Sequence, residues 1–303
     1  MTITPRLSEE VEAALRHGGP VVALETTLVS HGFPGAQGME VALSAEARVR
    51  RAGAVPATIG IIDGTVRVGL TTAELERFAS AGSQARKAGP RDLAACVVQG
   101  APGATTVGGT LAVCRLAGIM FMATGGTGGV HRRFADSLDI SADLPQIART
   151  RALVVSSGVK SILDVPATAE LLETLGVPVL GWRTGTLPLF YSAAGGPPVS
   201  AVVSAAKEAA LIAAAHWQLN GSTGVLLTRP PEPSLEVEPV IAEALAHVQS
   251  QGVRGQAITP AVLALVHELT GGRSAEVNRQ LIADNAGLAA EVAVAYSVAG
   301  ADH

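Results

Sequence analysis

Lysine is scarce in this chain, since Lys87, Lys160 and Lys207 stand against nineteen arginines. Charged residues make up only 16% of the 303 residues and the formal net charge is −4, so no basic surface for nucleic acid is expected. Aromatic residues make up only 3%. The core must therefore be built from alanine, valine, leucine and isoleucine, which are abundant enough for a large domain.

Cysteine is also rare. Cys96 and Cys114 have no metal-ligand spacing and do not suggest a disulfide framework, so we expect buried thiols in a reducing compartment. The first twenty residues lack the apolar segment of a signal peptide, and the longest aliphatic runs are interrupted well before ~18 residues. We therefore expect a cytoplasmic protein that binds neither membrane nor nucleic acid.

Because arginine is so strongly preferred over lysine in this chain, a lysine that remains is a candidate for chemistry that arginine cannot perform. Of the two, only lysine readily loses its proton. Lys160 follows an apolar run that begins at Leu153. Burial at this position would favour the neutral amine, which is a nucleophile for a carbonyl carbon. The alternative is a surface lysine without a chemical role.

Apolar runs of strand length alternate with helical patterns along the chain. The patterns predict strands at 20–24, 57–62, 93–98, 119–123, 153–156, 177–181 and 225–228. They predict helices at 38–52, 71–81, 108–117, 200–219, 237–251 and 274–298, with a loop at 31–38. Continuous apolar strands separated by helices predict a single three-layer α/β/α domain over residues 1–303, with a mostly parallel sheet.

Ligands bind beyond the carboxyl ends of the strands in such a sheet, and two clusters follow predicted strands there. Glu25 comes directly after the first strand and could act as an acid or base, or bond structurally to loop amides. The glycine-rich segment 123–132 could hold an anion on its backbone N–H groups, with Thr124, His131 and Arg132 as further donors. Its spacing is neither a P-loop nor a dinucleotide fingerprint, and a tight turn is the alternative.

Two carboxylates, Asp139 and Asp143, flank Ser141 at a spacing that suits a hard divalent cation such as magnesium or manganese. The alternative, which the spacing alone favours, is a helix start capped by Ser141 with Asp143 in its first turn. Lys87 and Arg91 flank a Gly-Pro pair and could hold a phosphate, although a solvated surface turn is commoner.

Two asparagines lie in the last predicted helix. The side-chain amide of Asn278 can both donate and accept, as recognition of a pyrimidine edge requires. Asn285 is expected on the helix surface.

Taken together, these motifs resemble the pseudouridine-5′-phosphate glycosidase family. The matching stretches run in order from about residue 8 to 298 and include 22–32, 56–60, 123–132, 139–144, 157–164, 172–179, 258–260 and 269–272. The family reversibly cleaves the C–C glycosidic bond of pseudouridine 5′-phosphate, giving uracil and ribose 5-phosphate. The resemblance therefore implies this activity, an α/β/α core and a homotrimer.

The resemblance also implies a role for individual residues. Lys160 would form an imine with C1′ of the opened ribose, Glu25 would be the acid/base at the base carbon, and Asp139 would hold a divalent metal, usually Mn²⁺, largely through water. The residues implied at the sugar phosphate are Lys87, Thr124, His131, Ser141, Ala142 and Asp143, and those implied at uracil are Val107 and Asn278.

Three segments depart from the family pattern. Residues 184–188 lack an expected acidic pair, Thr228 and Arg229 stand where an asparagine is expected before Pro230, and Arg133-Phe134 is bulkier than the usual sequence. Related proteins act in pigment and C-nucleoside biosynthesis, so an enzyme that joins ribose 5-phosphate to another partner is an alternative. An imine-forming aldolase and a non-catalytic nucleotide-binding protein are further alternatives.

Overall fold

The structure is a computed structural model that describes residues 3–33, 36–253 and 255–301. Its helices are α1 (Glu9–Arg16), α2 (Ala36–Arg51), α3 (Thr72–Ala81), α4 (Leu93–Gln99), α5 (Val107–Ala117), α6 (Phe134–Ser137), α7 (Asp143–Ala148), α8 (Val165–Thr174), α9 (Ala206–Asn220), α10 (Glu238–Ser250), α11 (Ile258–Leu269) and α12 (Arg273–Ala301). Its strands are β1 (Arg6–Leu7), β2 (Val21–Glu25), β3 (Val55–Ile62), β4 (Thr65–Val68), β5 (Arg86–Ala88), β6 (Gly103–Thr105), β7 (Phe121–Ala123), β8 (Val130–His131), β9 (Leu153–Ser156), β10 (Leu163–Asp164), β11 (Val179–Trp182), β12 (Ala201–Val203) and β13 (Val225–Thr228).

Eleven strands form one sheet in the order β1-β4-β3-β2-β7-β9-β13-β11-β12, with β6 and β5 joined to it through β3. The run from β3 through β2, β7, β9, β13 and β11 to β12 is parallel, whereas β3 pairs antiparallel with β4 and β6. Helices flank this sheet, so the predicted α/β/α class with a mostly parallel sheet is confirmed.

The central strands are buried on both faces, as their unbroken aliphatic sequences require. Their register places Leu24 of β2 beside Ala123 of β7, and Ala123 beside Val155 of β9. The residues that follow these three strands therefore meet at one edge of the sheet. This edge is where the candidate site lies.

Helix α12 packs on α2 and α9 and against strands β2, β7 and β9. By length and composition alone, its residues 273–299 would be long and apolar enough to cross a membrane. However, 56% of its most apolar window is buried inside the protein. Burial against the sheet accounts for that apolar face, as in the core helix of a globular protein.

Most predicted elements are confirmed, including α3, which begins at a capping box formed by Thr71 and Glu74. The predicted strand at 93–98 is wrong, because these residues form helix α4. A short apolar run does not distinguish the two structures by itself. In α4 Cys96 and Val97 are buried, Val98 is 74% exposed, and Gly100 ends the helix in the left-handed conformation.

The predicted helix at 200–219 is wrong at its start. Residues 201–203 form β12, which extends the sheet beside β11, and the helix begins only at Ala206. The β-branched pair Val202-Val203 fits a strand better than a helix. The predicted loop at 31–38 includes residues 34 and 35, and the predicted domain includes residues 1–2, 254 and 302–303, all of which lie outside the described residues.

Candidate active site

A cavity of about 320 Å³ opens at the carboxyl edge of the sheet. The residues of the sequence-predicted site that line it are Glu25, Lys87, Val107, His131, Asp139, Ser141, Ala142, Asp143 and Lys160. These residues come from widely separated parts of the chain, and the fold brings them together around one space. Thr124 and Asn278 do not line the cavity.

Glu25 ends strand β2 and is only 5% exposed. Thr124, the residue after β7, donates its hydroxyl to Glu25 Oε1 at 2.5 Å. Burial raises the pKa of Glu25 to about 7, although the Lys160 cation and the Thr124 hydrogen bond oppose this rise. A carboxyl group with this pKa exists in both protonation states near neutral pH, as an acid/base must.

Lys160 lies on the loop that follows β9, and its side chain lines the cavity with Glu25. The loop turns at Gly158, where φ is +81° and a Cβ atom would lie 2.0 Å from the carbonyl oxygen of Pro188. Only glycine fits this turn without displacing the backbone. The backbone N–H of Lys160 then donates to Thr127 O at 3.1 Å, which fixes the lysine to the glycine-rich segment.

The glycine-rich segment is held by Asp143 at the start of α7. The two carboxylate oxygens of Asp143 accept from Gly108 N at 2.8 Å and Gly128 N at 2.9 Å. Its own N–H donates to Ser141 Oγ at 3.2 Å. The capping alternative is therefore correct only in part: Asp143 is in the first turn of α7, but the N-cap residue is Ala142 rather than Ser141, and the Asp143 carboxylate joins two other segments. A Cβ atom on Gly128 would lie 2.2 Å from Ser141 Oγ, which explains the glycine.

Asp139 and His131 lie together on one wall of the cavity, with His131 Nδ1 3.8 Å from Asp139 Oδ2. Their side chains are 28% and 15% exposed, so the carboxylate can reach a solvated ligand. Among the described residues, no group of three or more histidine, cysteine, aspartate or glutamate side chains could enclose a metal ion. The donors therefore fit only a cation that keeps most of its water ligands, as Mg²⁺ and similar hard ions often do.

Among the residues that the structure describes, two cations face the cavity besides Lys160. Lys87 lies on β5, and the pKa of its amine is lowered by burial and by the nearby charge of Lys160. Arg91 lies at the mouth with its side chain 78% exposed. The predicted Lys87-Arg91 pair is therefore divided between the inside and the rim of the cavity, and both can attract an anionic ligand.

Asn278 and Asn285 lie on α12 behind the cavity wall, and both are buried. Asn285 was expected on the surface, but it is 0% exposed and its Nδ2 donates to Thr124 O at 2.9 Å and Ser157 Oγ at 3.1 Å. The surface expectation is wrong because α12 is a core helix rather than an outer one. Asn278 approaches Gly125, and its Oδ1 has no hydrogen-bond partner within the described structure.

Sequence reasoning missed several residues of the cavity wall. His31 lies in the π-helical turn Leu28–Gly32 that follows β2, and its neighbours Thr27 and Leu28 also line the cavity. Helix α11 contributes Thr259, Pro260 and Leu263 on another side. The available signal for His31 was its position, six residues after Glu25 and just beyond a strand.

One departure from the expected motifs has a structural cost. Arg133 has φ of +62°, a backbone region that non-glycine residues rarely adopt, and its side chain pairs with Asp136 at 2.8 Å. Leu138 has φ of +54° and is 74% exposed beside Asp139. The segment between His131 and Asp139 therefore carries bulky side chains at two positions with positive φ. In residues 184–188, where an acidic pair was expected, the Thr184 hydroxyl donates to Thr186 O and accepts from Thr186 N.

The fold and the site define a class of α/β protein in which a strand-end carboxyl group and a lysine share a cavity lined by further cations. The chain belongs to the family described as indigoidine synthase A like protein, whose sequence model matches residues 10–295.

The chain is similar to curated proteins over nearly its whole length. It is 48% identical to the pseudouridine-5′-phosphate glycosidase of Herpetosiphon aurantiacus, and the aligned region covers 95% of this chain and 97% of the relative. It is 44% identical to the protein of the same name from Escherichia coli K12, covering 98% and 97% of the two chains.

Two solved structures are similar as well. The prealnumycin C-glycosynthase AlnA, in complex with ribulose 5-phosphate, superposes with a TM-score of 0.91 at 42% identity, covering 100% of both chains. An indigoidine synthase A-like protein from Thermotoga maritima superposes with a TM-score of 0.88 at 35% identity, covering 97% of both.

Proposed function

We propose that this protein is a pseudouridine-5′-phosphate glycosidase that reversibly cleaves the C–C glycosidic bond to give uracil and ribose 5-phosphate. The observation that carries the proposal is the shared cavity of Glu25 and Lys160. Burial raises the pKa of Glu25 to about 7, and Lys160 is close enough for its charge to oppose that rise. A titrating carboxyl group beside an amine is what imine chemistry on a sugar requires.

The proposed reaction begins at C1′ of the sugar. The amine of Lys160 bonds to C1′ as the bond from C1′ to the ring oxygen breaks, and that oxygen takes the proton lost by the amine, which opens the sugar. The nitrogen lone pair then forms the C1′=N imine as the C–C bond breaks, and the base carbon leaves with the electrons of that bond and takes its proton from Glu25. Water then hydrolyses the imine and releases ribose 5-phosphate. In the synthetic direction the Glu25 carboxylate removes that proton again.

The phosphate of the substrate carries negative charge, and we place it near Lys87, His131 and the Ser141–Asp143 turn. Lys87 supports this placement because it is a half-buried cation on the cavity wall, where water screens its charge less than at the surface. Arg91 at the rim adds a second positive charge on the path of entry.

We further propose a divalent metal, manganese in the first instance, held at Asp139 through water, with His131 beside it. When bound, such a cation would supply positive charge to the sugar phosphate. The single half-exposed carboxylate fits a hydrated ion of this kind. We also propose a homotrimer in the cytoplasm.

Borohydride trapping tests the proposal directly, because the chain has only three lysines. Ribose 5-phosphate and borohydride should add one reduced sugar to the protein, and peptide mass spectrometry should place it on Lys160. Lys160→Ala should lose the adduct and all uracil release, whereas Lys207→Ala, on the exposed face of α9, should retain both. An adduct on Lys87, or none on the wild-type protein, would contradict the assignment.

A second candidate function is the joining of ribose 5-phosphate to a different carbon nucleophile. It is favoured by the similarity to a C-glycosynthase over the whole of both chains. The apolar side chains of Leu28, Pro260 and Leu263 in the cavity wall suit a larger aromatic partner than uracil. Incubating ribose 5-phosphate with uracil and with aromatic acceptors separates the two functions, because only the preferred partner should give an efficient coupled product.

A further inference from the structure

His31 holds an unusual position among the buried polar groups of this protein. Its Nε2 atom is shielded from water and has no hydrogen-bond partner, and the residue lines the candidate active-site cavity. The other buried unpaired side-chain atoms in the described parts of the chain belong to residues outside this cavity wall: Arg67, His216, Trp217, Arg229 and Asn278. Folded proteins rarely leave such an atom unpaired without a reason.

The other side of the imidazole ring is already occupied. The ring donates a hydrogen bond to the backbone of Ala85, and Nε2 is without a partner, so the proton is assigned to Nδ1. Burial and the nearby Lys87 cation lower the pKa of His31, which keeps the ring neutral at physiological pH. The unpaired Nε2 therefore carries a lone pair that can only accept a hydrogen bond. Because this atom is shielded, the ring or a neighbouring side chain must move for a ligand in the cavity to reach it.

The chemistry of an acceptor limits what it can bind. A phosphate dianion has no proton to donate, so His31 cannot pair with it as Lys87 can. The remaining donors of the proposed substrate are the sugar hydroxyl groups and the N–H groups of uracil. The sugar is favoured because His31 is close enough to the Lys87 cation for that charge to lower the pKa of the ring, and Lys87 is the cation that we place at the sugar phosphate.

We propose that His31 Nε2 accepts a hydrogen bond from a hydroxyl group, at C2 or C3, of the bound pentose phosphate. His31 is thereby a substrate-binding residue that selects a hydroxylated sugar over its deoxy analogue. This inference rests on the proposed function for the identity of the sugar. Sites built to bind a substrate hydroxyl discriminate strongly against analogues that lack it, because the acceptor is then left unpaired.

The test compares ribose 5-phosphate with its 2-deoxy and 3-deoxy analogues, without uracil. Binding is measured by calorimetry and imine formation by borohydride trapping, for the wild type, His31→Phe and His31→Gln. One deoxy sugar should bind the wild type about tenfold or more weakly. His31→Phe should bind ribose 5-phosphate and that analogue equally weakly, and His31→Gln, which keeps an acceptor, should recover part of the preference.

His216→Gln is the matched control, because His216 also has a buried Nε2 without a partner but lines a different cavity. It should leave the preference for ribose unchanged. If His31→Phe weakens the binding of all three sugars by the same factor, the residue is only structural and the proposal is wrong. If it impairs coupling to uracil but not sugar binding, the acceptor serves the base and the proposal is also wrong.

Failure of the proposed function gives a different result. Sugar binding that depends on His31 but produces no Lys160 adduct would support the hydroxyl contact and contradict the imine mechanism. A wild-type protein that binds none of the three sugars would overturn both the hydroxyl contact of His31 and the proposed function.

Discussion

Replacing Thr124 by valine should move the pH dependence of the reaction by an amount that follows from one hydrogen bond. The threonine hydroxyl donates to Glu25 at 2.5 Å and lowers the pKa of a carboxyl group that burial raises to about 7. Valine has nearly the same shape, so burial of Glu25 should change little while the stabilisation of its charged form is lost.

The size of the shift can be worked out. A hydrogen bond to a charged group contributes about 1.5–3 kcal/mol, and one pKa unit corresponds to about 1.4 kcal/mol. The pKa of Glu25 should therefore rise above 7 by roughly one to two units in Thr124→Val. Thr124→Ser is the matched control, because it keeps the hydroxyl and removes only a methyl group.

The assay is the pH profile of kcat/KM in both directions, because this quantity reports the free enzyme. Cleavage needs protonated Glu25, so its rate should fall above pH 7 in the wild type, and in Thr124→Val this decline should begin at higher pH. Synthesis needs the carboxylate, so its acidic limb should move in the same direction. A profile that stays at the wild-type position, or moves to lower pH, would refute the assignment of Glu25.

Two further predictions concern Glu25 and Gly158. The pKa of Glu25 rises on folding from 4.5 to about 7, so the folded state favours the protonated carboxyl group. The contribution of Glu25 to the free energy of unfolding is therefore complete below pH 4.5 and is lost as the pH rises through 7. Relative to the wild type, Glu25→Gln should therefore gain about 3 kcal/mol in free energy of unfolding between pH 4.5 and 8, measured by denaturant titration. A constant difference would show that Glu25 is not shifted. Gly158→Ala should lower the thermal midpoint and abolish the sugar adduct, because its Cβ would lie 2.0 Å from Pro188 O. Gly185→Ala, where a Cβ meets no atom within 4 Å, should change neither quantity.

The sequence was informative where a pattern reports burial directly. The unbroken aliphatic runs predicted the central strands β2, β7, β9 and β13, because a strand covered on both faces cannot alternate with polar residues. The strand at 93–98 was wrongly predicted for the same reason, since a helix with one buried face can have the same short composition. Strands β5 and β6 were not predicted, because three residues each give no readable period.

The candidate site was predictable where a functional side chain follows a strand. Glu25 is the last residue of β2 and Thr124 directly follows β7, and parallel strands place such residues at one edge. The scarcity of lysine drew attention to Lys160, and the structure places its side chain in the same cavity. His31 was not recognised, because only the three-dimensional structure reveals an acceptor without a partner.

The supporting contacts of the site could not be inferred from local sequence, and Asn285 illustrates why. Its side-chain amide binds the backbone after β7 at Thr124 and the hydroxyl after β9 at Ser157, more than 120 residues away in sequence. Thr124 in turn donates to Glu25, so the amide helps to fix the donor that lowers the pKa of the acid/base. An asparagine on an alanine-rich helix has no local signature of this role. Its function follows only from the packing of α12 against the sheet, which is why the site depends on residues that never contact the substrate cavity.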